Sequence, residues 1–227
     1  MKRTTTNPLV IIGGILLMLV LLFGTVSLRK FHLLPDTYTA STFLFTRLLF
    51  WAALLFVFVY AIKIEKQPFL LWKDKNYGIG KALLFALIIV VILIVGNIIM
   101  AFILRQLKFN SNSSSMNAMI SIFKENIWLL LFTCITAGIT EELLFRGYLL
   151  PRLAVLFKNR TVAIIVSSLF FGLLHFSYGT FSELSGAFFI GLIFACFYSK
   201  YRNIKILIVI HFLWDLTGLL LQVYAHK

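Results

Sequence analysis

The stretch Glu141-Glu142-Leu143-Leu144-Phe145-Arg146 decides how the chain is read, because it sets three formal charges inside an apolar segment. Each charge near the middle of a membrane helix costs roughly 2.5–3.5 kcal/mol on insertion scales. Three together come to about 10 kcal/mol unless they face a polar or wet interior. Of only 8 acidic residues in the chain, two stand side by side here. Such a cluster marks a place where charges pair, do chemistry, or both.

Working outward, the 227 residues are 61% hydrophobic and only 13% charged. A water-soluble domain of that make-up would expose large apolar patches, so the expected class is an all-α polytopic membrane protein. A β-barrel would show short alternating segments in place of unbroken apolar runs. The net charge of +13 comes from Lys and Arg placed in short loops between apolar runs, as topology signals and lipid contacts are. No basic helix or aromatic platform accompanies them, so the lipid bilayer and not nucleic acid is the expected partner. Cys134 and Cys196 lie within apolar runs, where a free thiol behaves as a small hydrophobe. No disulfide framework or cysteine metal site is implied.

The apolar runs predict about seven transmembrane helices, near 8–28, 39–62, 80–104, 127–156, 161–178, 184–198 and 204–224. Met1-Lys2-Arg3 before the first run has the charge layout of a signal peptide. The run is too long for one and no small-residue cleavage site follows, so a retained helix is expected. The tract Arg105 to Asn117, with Asn110-Ser111-Asn112-Ser113-Ser114-Ser115, reads as a flexible loop. Within a single membrane domain, 1–227, a loop at 105–120 then separates an N-terminal three-helix part, 1–104, from a C-terminal four-helix core, 121–227. Lys2, Arg3, the lysines of the 63–81 loop, Arg152, Lys158, Arg160, Lys200, Arg202 and Lys205 fall on one face. Arg29, Lys30, Arg105, Lys108, Lys124 and Lys227 fall on the other. That bias predicts a multi-pass protein of the cell membrane with its N-terminus cytoplasmic.

Ionisable groups then meet at one depth. Glu141 lies roughly 15 residues before the Lys158 turn and His175 roughly 15 after it, so both sit about 20 Å in at about 1.5 Å per residue. His211 and Asp215 lie about 10–17 Å from the inner end of the last helix by the same rise. Glu142 and Arg146 are spaced i,i+4 and can pair on one face, while Glu141 points about 100° away. His211 and Asp215 are also i,i+4. Phe171 and His175 share a face, with Gly172 beside them allowing a neighbouring helix to approach.

Glu141-Glu142-x-x-x-Arg146, Phe171-x-x-x-His175 and His211-x-x-x-Asp215, in that order on successive helices, resemble the motifs of the CPBP family. These are the CAAX-protease and bacteriocin-processing, or Abi, intramembrane glutamic proteases. The resemblance covers about residues 130–217, including Gly186 and Gly191. It implies an intramembrane endopeptidase acting on a peptide or a membrane-anchored protein, in bacteriocin immunity, peptide maturation or CAAX-type processing. By that resemblance Glu141 is the base that activates water, assisted by His175. His211 and Asp215 stabilise the oxyanion, and Glu142 with Arg146 supports the site. The last position is Asn in the prenyl-protease branch and Asp here. An ionised Asp215 would repel an oxyanion, so it is either protonated or holds His211 as the donor, as the acid of a serine-protease triad does. The substitution weakens any transfer of prenyl-peptide specificity.

Other readings stand beside this one. No cofactor is expected, but Glu141, His175 and His211 could instead hold Zn with an open fourth position. Buried Glu, His and Asp also serve proton-coupled transporters, although the chain lacks the internal repeats common there. A non-catalytic membrane scaffold of the same family is a further alternative. Glu142 and Arg146 could be only a structural ion pair. Arg47 is expected to snorkel or pair structurally, and Asn97 to bond between helices.

Overall fold

Asn7, Thr39, Ser113, Asn159 and Thr180 each accept a backbone N–H at the head of a helix. Such caps contribute about 1 kcal/mol each and fix where the apolar runs become helical. The computed structural model describes residues 7–29, 31–35, 37–109 and 113–225. The Met1-Lys2-Arg3 cluster, Lys30, Asn110-Ser111-Asn112 and Lys227, all used in the charge and loop readings, lie outside the described residues.

The helices are α1 Pro8–Ser27, α2 Ala40–Lys63, α3 Ile79–Gln106, α4 Ser114–Glu125, α5 Ile127–Phe157, α6 Arg160–His175, α7 Phe181–Tyr201 and α8 Ile204–Ala225. The architecture is all-helical, and six of these helices are long and apolar enough to cross a bilayer. The seventh apolar helix, α6, has 16 residues. At 1.5 Å per residue it reaches about 24 Å, short of a hydrocarbon core of about 30 Å. The sequence places its end near Tyr178, but the helix proper stops at His175. Residues Phe176–Tyr178 tighten into a 3-10 turn, and Gly179 at φ 92° reverses the chain. The last α-helical residue of this short helix is therefore an ionisable one.

Helix α4 occupies part of what reads as a polar loop. Ser113 caps it, and Met119, Ile120 and Phe123 at helical spacing bury one face against Phe43, Leu130 and Val223. The Ser-rich start disguises an amphipathic helix whose apolar residues come only after the first turn.

Helix α5 is the most enclosed span, with 56% of its apolar window buried against 17% for α3. It is also irregular. Over the 13 residues Ala137–Leu149 the backbone is π-helical, and at the end of that stretch Leu150 N–H reaches the Phe145 carbonyl five residues back. A π turn is wider than an α turn and occurs mostly at functional sites. The step between successive side chains is smaller there, so Glu141 and Glu142 both point inward, 5% and 0% exposed. The reading that sends them about 100° apart assumes an α-helix.

Two glycines set helix distances around that segment. A Cβ on Gly138 would lie 3.0 Å from the Ile208 carbonyl and 3.2 Å from the Phe212 nitrogen, so its absence lets the α8 backbone come against α5. A Cβ on Gly172 would meet the Leu184 carbonyl at 2.9 Å, which brings α7 against α6. Near its C-terminal end α5 is clamped by Arg152, a residue read from sequence as a loop charge. Arg152 is fully buried. It bonds Glu65 at 2.9 Å and 2.5 Å, while the Tyr148 hydroxyl bonds the same carboxylate at 2.6 Å. In the same 64–78 loop Asp74 accepts the Ile204 N–H at 3.3 Å and so caps α8.

Candidate active site

The π-helical part of α5, the end of α6 and the middle of α8 bring the expected side chains together. Glu142 Oε1 accepts from Arg146 Nη1 at 2.8 Å and lies 2.8 Å from His211 Nδ1. A carboxylate on that atom makes Nδ1–H the donor, so Nε2 is the nitrogen His211 presents to the other groups. Nε2 lies 4.0 Å from Glu141 Oε2 and 3.5 Å from Asp215 Oδ2. His175 is oriented differently. Its Nδ1 lies 2.9 Å from the Phe171 carbonyl, which only accepts, so Nδ1 carries the hydrogen. Its Nε2 then faces Glu141 Oε2, also at 4.0 Å.

Glu141, His175, His211 and Asp215 thus share one locus, and Glu142 with Arg146 adjoins it. The triad-like hold on His211 Nδ1 comes from Glu142, whereas Asp215 addresses the opposite nitrogen. Phe171 packs the group from one side. Its ring lies 4.7 Å from that of His175 and 6.1 Å from that of His211, with the Arg146 guanidinium 4.3 Å above it. The Gly191 carbonyl takes Arg146 Nη2 at 3.4 Å. Arg146 is therefore held by an acid, a carbonyl and an aromatic face, which suits a planar cation with a fixed fork of donors.

Two clefts open beside Glu141 and His175. The larger, about 340 Å³, runs between α2, α3, α5, α7 and α8 and carries Asn97, Glu183, His211, Asp215 and Gln222 on its walls. The other, about 80 Å³, lies toward α1 and α2 and carries Thr25, Arg29, Tyr38 and Ser177. Arg47 lines both. It neither snorkels clear of the bundle nor pairs with an acid; its guanidinium lies over Phe43 at 4.7 Å and Phe50 at 5.0 Å. Asn97 bonds its own helix at the Leu93 carbonyl, 2.8 Å away, in place of a neighbouring helix. Arg47, Asn97 and Glu183 are residues sequence reasoning left out of the site. For Arg47 the signal was present, as a charge inside an apolar run is a site candidate by default.

Among the described residues no group of three or more His, Cys, Asp or Glu side chains is set to hold a metal ion. The two 4.0 Å gaps around Glu141 Oε2 bear on the same point. Two ligand atoms on one tetrahedral zinc, at bonds near 2.0–2.1 Å, stand about 3.3 Å apart. Two atoms hydrogen-bonded to one water stand about 4.0–4.6 Å apart. The spacing matches the second.

Helices of membrane-spanning length around buried acids and imidazoles define a class: a polytopic membrane protein with an intramembrane carboxylate–imidazole site. Residues 123–217 match the family described as type II CAAX prenyl endopeptidase Rce1-like. That segment contains Glu141, Glu142, Arg146, Phe171, His175, His211 and Asp215. The chain is 33% identical over 136 residues to an uncharacterized protein of Mycoplasma capricolum subsp. capricolum, a match covering 54% of this chain and 38% of that protein. It is 30% identical over 138 residues to the UPF0177 protein YvdC of Lactococcus lactis subsp. lactis, covering 60% of this chain and 50% of that protein. The chain thus spans half or less of the length of these curated relatives. No solved structure matches it.

Proposed function

We propose that the protein is an intramembrane endopeptidase that cleaves a peptide or a membrane-anchored protein with water activated by Glu141. The observation that carries this reading is Glu141 Oε2, buried, without a hydrogen-bond partner, and equidistant from two imidazole nitrogens at 4.0 Å. The match of the core to a prenyl endopeptidase family supports a protease at the level of the family.

In the mechanism, a water between these atoms gives one proton to Glu141 as its oxygen attacks the peptide carbonyl carbon. His175, with Nδ1–H committed to the Phe171 carbonyl, accepts the second water proton in a hydrogen bond at Nε2. His211 is the oxyanion donor. Glu142 fixes the ring through Nδ1, and Asp215 lies 3.5 Å from Nε2. One such donor is worth about 2.7–4 kcal/mol of barrier. As the tetrahedral intermediate collapses, the C–N bond breaks and Glu141 passes its proton to the leaving amine. Arg146 holds Glu142 in place, so it acts on the reaction through two intermediaries.

The settings this reading offers are CAAX-type processing, peptide maturation and bacteriocin immunity, in a cell membrane with the N-terminus cytoplasmic. The test is Glu141→Gln in the full-length protein reconstituted in vesicles with a panel of prenylated and unmodified peptides. Cleavage should vanish while helicity and thermal unfolding stay as in the parent, and mass spectrometry should find peptide bound to the variant. Retained cleavage removes Glu141 as the base. Uptake driven by a pH gradient, with no peptide cut by the parent protein, points instead to a proton-coupled transporter. Capture of an intact membrane protein, likewise with no peptide cut, points to a non-catalytic scaffold.

A further inference from the structure

The two clefts that meet at Glu141 differ in charge. Beyond Glu141 itself, the smaller cleft has arginines and hydroxyl groups on its walls, while the larger adds Glu183 and Asp215. Arg47 stands where they join, the one Lys or Arg side chain lining both among the described residues. It belongs to α2, outside the segment that matches the protease family.

The guanidinium of Arg47 is in an uncommon state. Its Nε is buried and has no hydrogen-bond partner, and among the described residues Arg47 forms no ion pair. Phe43 and Phe50 hold it by their faces, fixing its position without using its donors. By contrast Arg29, lining the same small cleft, bonds Thr42 Oγ1 at 3.1 Å and the Pro35 carbonyl at 3.2 Å and lies 3.6 Å over Tyr38. Arg146 and Arg152 each have a carboxylate. As a residue Arg47 is only partly buried, but its Nε is enclosed, and leaving a buried donor unmatched is costly. Five N–H groups in a planar fork are complementary to a carboxylate.

We propose that Arg47 is a specificity-determining residue that binds a carboxylate of the substrate beside the scissile bond. The inference rests on the endopeptidase reading, and it assigns a substrate class to the same site. The peptide lies across Glu141 with its anionic end in the basic cleft and its other end along the acidic wall. The carboxylate is either the C-terminal group of the substrate or an Asp or Glu side chain near the cut. The chemistry of recognition is the same for both.

The experiment measures binding, so it does not depend on turnover. Full-length Glu141→Gln protein in neutral phosphatidylcholine vesicles is titrated with a fluorescent hydrophobic tetrapeptide in three forms. One has a free C-terminus, one a C-terminal amide, and one a C-terminal amide with an internal Glu. The same titrations are run with Arg47→Ala and Arg47→Lys added. The apparent Kd for one carboxylate-bearing form should be roughly 10- to 100-fold below that of the plain amide, the range for hydrogen bonds to a charged group. Arg47→Ala should erase that ratio and Arg47→Lys restore part of it. Which peptide shows the preference tells a terminal from a side-chain carboxylate.

Equal Kd values for all three forms, or a preference that survives Arg47→Ala, overturn the proposal. So does a preference that disappears when anionic phosphatidylglycerol is included in the vesicles, which would give Arg47 to a lipid headgroup. Failure of catalysis is read separately: a parent protein that binds with the stated preference but cuts nothing keeps Arg47 as a carboxylate site and discards the endopeptidase.

Discussion

Glu142 Oε1 lies 2.8 Å from His211 Nδ1, while the adjacent Glu141 places Oε2 4.0 Å from Nε2 of the same ring. Neighbouring carboxylates on one helix thus address opposite ends of one imidazole on another. The arrangement separates two tasks: Glu142 commits Oε1 to Arg146 and His211, with its buried Oε2 unpartnered, and Glu141 keeps an oxygen in the cleft between two imidazoles.

Replacing Glu142 should therefore injure the site by orientation more than by chemistry. Glu142→Gln retains an acceptor oxygen for His211 but loses the ionic hold on Arg146. The expected result is a fall in kcat of about 10²–10³-fold, the scale of losing one oxyanion donor, with a smaller change in KM. Glu142→Ala leaves Arg146 buried without its acid, which costs about 3–5 kcal/mol. That variant should unfold at a clearly lower temperature by differential scanning fluorimetry in detergent, while Glu142→Gln stays closer to the parent. A thermal stability of Glu142→Ala equal to the parent's would remove the ion pair from this account.

Much of the bundle was legible because lipid-facing helices announce themselves. Apolar runs read as ending near 62, 156 and 198 stop within a few residues of the observed helix ends at Lys63, Phe157 and Tyr201. The acids and imidazoles stand out because a charge in such a run has few inexpensive places to go. What stayed hidden depends on the third dimension. Nothing in Ala137–Leu149 distinguishes a π turn from an α turn, so the placing of Glu141 and Glu142 at opposite ends of the His211 ring could not be read. Arg152 looks like a positive-inside marker until the 64–78 loop folds back and delivers Glu65 to it. Arg47 looks like a snorkelling residue until α2 packs beside α5 and turns it toward the cleft.

The Glu65–Arg152 pair gives a stability test away from the chemistry. Both groups are buried, and Tyr148 shares the carboxylate. Removing one partner strands a buried charge, so Glu65→Gln and Arg152→Met should each cost about 3–5 kcal/mol. A double replacement, Glu65→Gln with Arg152→Met, removes both charges and should cost less than the sum of the single changes. Unfolding midpoints of the three variants in one detergent measure this. Additive losses would mean that the two residues act independently.

Asp74 supplies a pH test outside the spans. Burial raises its carboxyl above the ordinary value of 3.8, against smaller opposing pulls from the Ile204 N–H and Lys205. A carboxyl whose folded value exceeds its unfolded value binds its proton more tightly in the fold. Its contribution to stability is therefore fullest at acid pH and declines as pH rises from near 3.8 through the raised folded value. Asn at this position keeps an acceptor for the Ile204 N–H and cannot ionise. Asp74→Asn should flatten this part of the pH–stability curve and be neutral or stabilising at pH 7, because Asn and Asp cap helices about equally well. An unfolding temperature lower than the parent's at pH 7 would show that the ionised carboxylate itself is needed.

Metal content decides between a glutamate-activated water and a zinc-bound one. The zinc alternative uses Glu141, His175 and His211, and it requires Glu141 Oε2 and the two Nε2 atoms to close from 4.0 Å toward about 3.3 Å. His175 would have to break from the Phe171 carbonyl or pivot on it, and His211 is tethered by Glu142. The expected result for protein purified with zinc in every buffer is far less than one metal per chain, with peptide cleavage unchanged by a chelator. His175→Ala and His211→Ala should then lower activity without altering metal content. One zinc per chain that disappears in both His variants and in Glu141→Gln would assign these residues as ligands. Activity lost to the chelator and restored by zinc would move water activation from the carboxylate to the metal.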